Sequence, residues 1–235
     1  MTETIFITGA DKGLGFALAT RFLQAGWRVF AGAYRPPFGI PTLQEQFPKM
    51  LTVIPLDVSD MESVRAAAAL VAQQVSALDA LINNAGINLE GEGAALEKLD
   101  LTDQHLEKTM AVNAFGPLRV TQQFLPLLVQ GKRKLLVNIS SEAGSITDCG
   151  RTREFAYCMS KSALNMQSKL LQNHLGPQGF KVLAFHPGWM RTDMGGPQAF
   201  ISADESAAGI FELASRDWSP DDPIYLDYQG KALRW

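Results

Sequence analysis

Tyr157 and Lys161 stand four residues apart in a stretch, 155–175, whose Leu164, Leu171 and Leu175 recur at helical spacing. Both side chains therefore project from one helix face. A phenol with an unperturbed pKa of about 10 is a poor acid or base at neutral pH, and a neighbouring ammonium that stabilises the phenolate brings its proton into use. Upstream, Leu135-Leu136-Val137-Asn138-Ile139 reads as a buried strand running into Ser140-Ser141. A hydroxyl then emerges at the carboxyl end of a strand, the edge where open α/β sheets hold ligands. Singly, each feature is common: such Tyr/Lys pairs arise by chance on many helices, and paired serines after a strand often cap or turn. The combination points to proton transfer on a bound small molecule.

A second constellation begins the chain. Thr8-Gly9-Ala10-Asp11-Lys12-Gly13-Leu14-Gly15 follows an apolar run and opens an amphipathic segment. Glycines allow a tight turn in which free N–H groups and the positive end of a helix dipole meet a pyrophosphate. The spacing is GxxxGxG rather than GxGxxG, and no Lys-Ser or Lys-Thr follows it, which excludes a P-loop; dinucleotide binding leads, and the alternative is an ordinary βα turn. The second strand ends Ala31-Gly32-Ala33-Tyr34-Arg35, without the acidic side chain that would bind a ribose 2′-hydroxyl. Arg35 and Lys12 place positive charge where a 2′-phosphate would sit, which favours NADP(H) over NAD; the alternative is that both are solvated surface bases.

These residues need elements to carry them. Apolar runs bounded by turn residues recur at 5–7, 29–33, 52–56, 80–82, 135–139 and 182–185, short and continuously apolar as strands buried on both faces should be. Between them, Leu14, Leu18, Phe22 and Leu23 share a helical face, as do Val64, Leu70, Val71 and Val75. Strand and helix alternating six times predict a doubly wound, Rossmann-like α/β fold with a parallel sheet, helices on both faces and a single domain over 1–235. Gly26 and Gly176-Pro177 stop the helices before them, while Gly116-Pro117 and Pro126 predict a bent or interrupted helix from about Asp103 to Val129. Leu125, Leu127 and Leu128 on it read as either interface or core. A short substrate lid is expected around 189–205, where Trp189, Met190, Met194 and Phe200 supply apolar lining or plain core.

Composition narrows the function classes. The chain has 235 residues, 46% hydrophobic and 19% charged, which suits a globular domain. Its 21 basic and 24 acidic side chains give a formal charge of −3, scattered rather than gathered into a stripe, so nucleic acid is not an expected partner. The start carries no basic n-region and no apolar run approaches a membrane span, so a soluble, cytoplasmic protein is expected. Cys149 and Cys158 make no disulfide or metal framework, and His105, His174 and His186 are widely spaced, so no metal site is expected.

The motifs TGADKGLG (8–15), LDV (56–58), NNAG (83–86), VN (112–113), NISS (138–141), YCMSK (157–161) and HPGWMRTDM (186–194) occur in one order along nearly the whole chain. In this the sequence resembles the short-chain dehydrogenase/reductase family, in its single-domain branch. The resemblance implies that Asn113, Ser141, Tyr157 and Lys161 match the family's catalytic tetrad, Ser141 being the second serine of its pair. It further implies a cofactor site from Gly9, Asp11, Lys12, Gly13, Leu14, Gly15, Tyr34, Arg35, Asp57, Val58, Asn84, Ala85, Gly86, Pro187, Gly188 and Thr192, with Tyr157 and Lys161 also touching the nicotinamide ribose. Asp57 would meet the adenine edge.

The sixteen residues from Ser141 to Tyr157 slightly exceed the common spacing; the excess falls in 148–154, a loop that either borders the substrate pocket or is a surface excursion. The ending IYLDYQGKALRW and the segment GWMRTDMGG look most like the carbonyl-reductase and C-factor-like branch. The implied activity is NADPH-dependent hydride transfer to an aldehyde or ketone. Two alternatives are an NADP(H)-binding regulatory or signalling protein with little turnover, and an NAD-linked alcohol dehydrogenase working in reverse. A homodimer or homotetramer is compatible with the resemblance, as is a monomer.

Overall fold

The computed structural model describes residues 2–35, 40–90, 96–99 and 104–235. Within them, β1 (Thr4–Thr8), β2 (Arg28–Ala33), β3 (Leu51–Pro55), β4 (Ala80–Asn83), β5 (Leu135–Ile139), β6 (Lys181–His186) and β7 (Tyr225–Asp227) form one parallel sheet in the order β3-β2-β1-β4-β5-β6-β7. The central strands carry the apolar runs because they are covered on both faces, and every residue of β5 is buried. Six strands match the runs read from the sequence. The seventh, β7, corrects that count: it has three residues, and its pairing with β6 through Ala184↔Tyr225 leaves too short an apolar signature to register.

Strand order reverses between β1 and β4, and the registers Ile7↔Ile82 and Asn83↔Asn138 bring the carboxyl ends of β1, β4 and β5 to the same edge. This switch point opens the crevice in which such sheets bind ligands. Two apolar clusters flank it. On one face Phe6, Phe30, Leu81 and Leu136 pack on Val64 and Val71 of α3 (Met61–Ala72) and on Val120 and Phe124 of the helix Gly116–Gln130. On the other, Ile5, Ile7 and Ile82 pack on Leu18 and Phe22 of α1 (Gly13–Gln24) and on Ile210 of the helix Ala203–Ser215. Full burial of each such side chain contributes roughly 1.5–3 kcal/mol. Leu70, expected on the buried face of α3, is 41% exposed, because only Val64, Ala67 and Val71 on that helix point inward.

After the short α2 (Ile40–Gln46), the long helix predicted near 103–129 resolves into α4 (Gln104–Met110), a π-helical turn Ala111–Phe115, and α5 (Gly116–Gln130). Asp103 itself lies outside the described residues. The break falls before Gly116-Pro117, and Pro126 sits inside α5. Leu128 is core, and Leu125 and Leu127 are partly buried against the same cluster. The remaining helices are α6 (Phe155–Leu175), ended by Gly176-Pro177, and α7 (Ala203–Ser215), capped by Ser202 accepting from the Glu205 N–H at 3.0 Å. Among the described residues no helix is long and apolar enough to cross a membrane. Cys149 and Cys158 are both free.

Candidate active site

At the carboxyl end of β1 the chain turns through Gly9 (φ +62°) and Gly13 (φ +54°), backbone that L side chains rarely adopt. Asn84, following β4, clamps the turn: its amide nitrogen donates to the Thr8 carbonyl at 2.9 Å and the Gly9 carbonyl at 3.0 Å. In return the Thr8 hydroxyl accepts from the Asn84 and Ala85 N–H groups, each at 2.9 Å. A Cβ at Gly15 would lie 2.1 Å from the Gly9 oxygen, and one at Gly9 2.9 Å from the Ala85 Cα, so only glycine permits this approach. No side chain caps the amino end of α1, which leaves its first N–H groups to face a ligand. This cradle fits the pyrophosphate of a dinucleotide.

The other expected cofactor residues fall into two groups. Tyr34 and Arg35 are exposed just beyond β2, with the guanidinium over the phenol ring at 5.5 Å. Lys12 is not a free surface base, since its Nζ lies 2.6 Å from an Asp193 carboxylate oxygen. Thr192 comes to the glycine turn as well, 3.5 Å from where a Cβ on Gly13 would stand. By contrast, the Leu14 side chain is buried in the core, and Val58 packs on Gly116, so each can serve a ligand only through its backbone. Asp11 is buried beside the turn. Asp57 accepts from the Ser59 N–H at 2.8 Å and the Ser59 hydroxyl at 2.6 Å. Gly188 (φ +82°) follows Pro187, and a Cβ there would lie 2.5 Å from Ile201 Cδ1.

Tyr157, Ser141, Lys161 and Asn113 converge where β5, α6 and the π-turn meet. The Ser141 hydroxyl makes a side-chain hydrogen bond with Tyr157 and accepts from the Ala143 N–H at 3.2 Å. Ser140 instead donates to Asn165 at 2.6 Å, so of the two serines it is Ser141 that faces Tyr157. Lys161 is buried, donates to the Ile139 carbonyl at 2.8 Å, and has its Nζ 5.7 Å from the centre of the Tyr157 ring. Asn113 is wholly buried in the π-turn. Its amide oxygen accepts from the Ile87 N–H, and its nitrogen donates to the Ile87 carbonyl, each at 2.8 Å. That nitrogen also donates to the Ser160 hydroxyl at 3.1 Å, which donates to the Tyr157 carbonyl at 2.8 Å. Gly86 keeps the space between Asn113 and Lys161 open: a Cβ there would stand 3.4 Å from one and 3.6 Å from the other.

Burial sets the protonation states. It pushes the Tyr157 phenol up to about 12, against the opposing hydrogen bond with Ser141. It pulls the Lys161 ammonium down to about 8. Desolvation thus outweighs the lowering expected from the neighbouring ammonium, whose nitrogen is engaged by the Ile139 carbonyl. At neutral pH Tyr157 holds its proton while Lys161 remains mainly cationic, the states a proton donor and its electrostatic support require.

Glu90 also serves this site, from a distant part of the chain. Glu154 precedes α6 in a left-handed conformation (φ +60°) and provides no side-chain cap. The Tyr157 N–H, one of the unpaired donors of the first turn, is satisfied instead by Glu90 at 3.0 Å. The partner comes from the segment after β4, and local sequence carries no sign of it. The 148–154 loop borders the site: Arg151 pairs with Glu142, next to Ser141, at 2.6 Å and with Glu154, while Glu154 accepts from Asn88 at 2.6 Å. In the segment after Gly188, Met190 packs on the core. Trp189, Met194 and Phe200 are exposed, with Trp189 and Phe200 edge to face at 5.0 Å.

Known proteins resemble this chain in sequence and fold. Residues 3–199 match the family model described as short chain dehydrogenase. The protein named C-signal from Myxococcus xanthus is 39% identical over 158 residues, 67% of this chain and 93% of that protein. An NADPH-bound carbonyl reductase from chicken fatty liver superposes with a TM-score of 0.90 at 31% identity, covering 100% of this chain and 99% of that one. A short-chain dehydrogenase/reductase from Burkholderia multivorans with bound NADP gives 0.86 at 32% identity, with 100% of both chains covered.

Proposed function

This chain belongs to the short chain dehydrogenase family and is an oxidoreductase that uses a nicotinamide cofactor on small molecules, and from that premise we propose that it is an NADPH-dependent carbonyl reductase. The observation that carries the reading is the meeting of Tyr157, Ser141, Lys161 and Asn113 beside the glycine cradle, with the phenol protonated at neutral pH. Held by the glycine cradle, NADPH would supply the hydride that the carbonyl carbon needs. Tyr157 donates its proton to the carbonyl oxygen, and the Ser141 hydroxyl orients that oxygen by a hydrogen bond. Lys161 holds the nicotinamide ribose hydroxyls and offsets the negative charge that develops on Tyr157. Asn113 anchors the path by which the proton is replaced.

Arg35 selects NADPH by pairing with its 2′-phosphate, and Lys12 joins it by exchanging its Asp193 partner for that phosphate, a reading supported by the absence of an acidic side chain after β2 and by the NADPH and NADP in the two neighbouring structures. The segment around 189–205 acts as a substrate lid, and its exposed Trp189, Met194 and Phe200 favour an apolar aldehyde or ketone. A second reading, an NADP(H)-binding signalling protein with little turnover, is favoured by the likeness to C-signal. NADPH consumption over a panel of aldehydes, ketones and quinones separates the two. A reductase consumes NADPH on addition of a carbonyl compound and prefers it to NADH. Binding without turnover across the panel selects the signalling reading.

A further inference from the structure

Two parts of the sequence lie outside the reaction as written: the long 148–154 loop and the ending 224–235. They hold each other. From β7 the chain turns back, pairing Leu226 with Ala232 and bonding the Leu233 N–H to the Tyr225 carbonyl at 2.9 Å. This lays the Trp235 ring on Tyr225, with centroids 4.9 Å apart and planes 20° from parallel. The same arm grips the loop after Ser141. The Thr147 N–H donates to the Trp235 oxygen at 2.9 Å, and Arg234 pairs with Asp148.

Beneath the stack, Tyr225 is 1% exposed and its hydroxyl donates to the Ser141 carbonyl at 2.6 Å. That carbonyl also accepts from the Gly144 N–H at 3.0 Å. The neighbouring Ser140 is tied down separately, its hydroxyl donating to Asn165 at 2.6 Å. The strand end bearing Ser141 is thus fixed from β7 by a buried hydroxyl, and the loop leading from it towards Tyr157 is fixed at Thr147 and Asp148.

The structure assigns to Tyr225 and Trp235 a positioning role: the stacked pair sets the main chain of Ser141 so that its hydroxyl meets Tyr157 and the substrate oxygen. Neither ring touches a reacting group, so both act through Ser141. The inference rests on the reductase reading. Misplacement of a positioned group by about an ångström costs up to roughly a hundredfold in rate, and Tyr225→Phe deletes one of two bonds on the Ser141 carbonyl while keeping the stacked ring.

The test measures kcat, carbonyl KM and NADPH affinity for the full chain and for Tyr225→Phe, Trp235→Ala and Trp235→Phe, and repeats Tyr225→Phe in a Ser141→Ala background. The expected result is a fall in kcat of about tenfold for Tyr225→Phe and more for Trp235→Ala, with NADPH affinity held within about twofold. Trp235→Phe, which keeps an aromatic stack, recovers most of the loss. In the Ser141→Ala background, Tyr225→Phe has no further effect on kcat, because the group it positions is gone. A purely structural role lowers Tm and leaves kcat per folded molecule unchanged, and that overturns the inference. So does an equal loss from Tyr225→Phe with or without Ser141. If the parent protein reduces no carbonyl compound, the reductase reading falls and takes the inference with it; an active parent with unimpaired variants sinks the inference alone.

Discussion

Replacing Gly15 with alanine puts a methyl group 2.1 Å from the Gly9 carbonyl oxygen and 2.5 Å from the Asn84 amide nitrogen. Neither atom is the free end of a flexible side chain. Gly9 is held in left-handed backbone, and the Asn84 amide already bonds the Thr8 and Gly9 carbonyls. Relief requires a backbone shift of roughly an ångström, and overpacking of this kind costs about 1–3 kcal/mol. The upper end applies because the shift also loosens the Asn84 clamp. For a chain of this length, about 3 kcal/mol lowers Tm by roughly 6–12 °C. The displaced turn is also the pyrophosphate cradle, so the same energy taken from binding weakens NADPH affinity by about a hundredfold. Fluorescence titration with NADPH and thermal melts read both effects. Gly150→Ala is the control, since a Cβ there meets nothing within 4 Å, and it should stay within about 0.5 kcal/mol of the parent. A Gly15→Ala protein that binds NADPH as the parent does and melts at the parent temperature would refute the argument that close approach at this turn builds the cofactor site.

Burial holds Lys161 down to about 8, so kcat/KM for NADPH should fall as pH rises through about 8, while Tyr157, pushed up to about 12, keeps its proton throughout; in Lys161→Arg the fall should shift to higher pH. The same depressed lysine releases its proton in the folded chain before the unfolded one does, so it adds stability as pH rises from about 8 towards the ordinary value of 10.5. Melts across that window should show the gain in the parent and not in Lys161→Met. Lys12→Ala and Arg35→Ala should each weaken NADPH binding by about tenfold, the loss of a charge-assisted hydrogen bond, and leave NADH binding unchanged. Equal losses for both cofactors in isothermal titration would remove the 2′-phosphate argument.

Much of this architecture is legible in the sequence because its signals are local. Six strands announce themselves as apolar runs between turn residues, and Gly9, Gly13 and Gly15 mark a turn that geometry reserves for glycine. What was hidden depends on partners far away in the chain. The π-turn at Ala111–Phe115 contains no helix breaker, and Asn113 within it bonds Ile87, 26 residues earlier. Glu90 reaches Tyr157 across 67 residues, and Tyr225 reaches Ser141 across 84. The direction of the Tyr157 shift is hidden for a related reason: the sequence shows the nearby lysine but not the burial that outweighs it.

In the proposed reaction Tyr157 delivers the proton. Tyr157→Phe keeps the ring and removes the hydroxyl, and Ser141, Lys161 and the glycine cradle have other partners to hold them in place. The direct measurement is single-turnover NADPH oxidation by this variant, with a carbonyl compound that the parent reduces, alongside NADPH titration. The rate should fall at least about a hundredfold, as removal of a general acid brings, with cofactor affinity unchanged. Reduction at close to the parent rate by a variant that binds NADPH normally would contradict it.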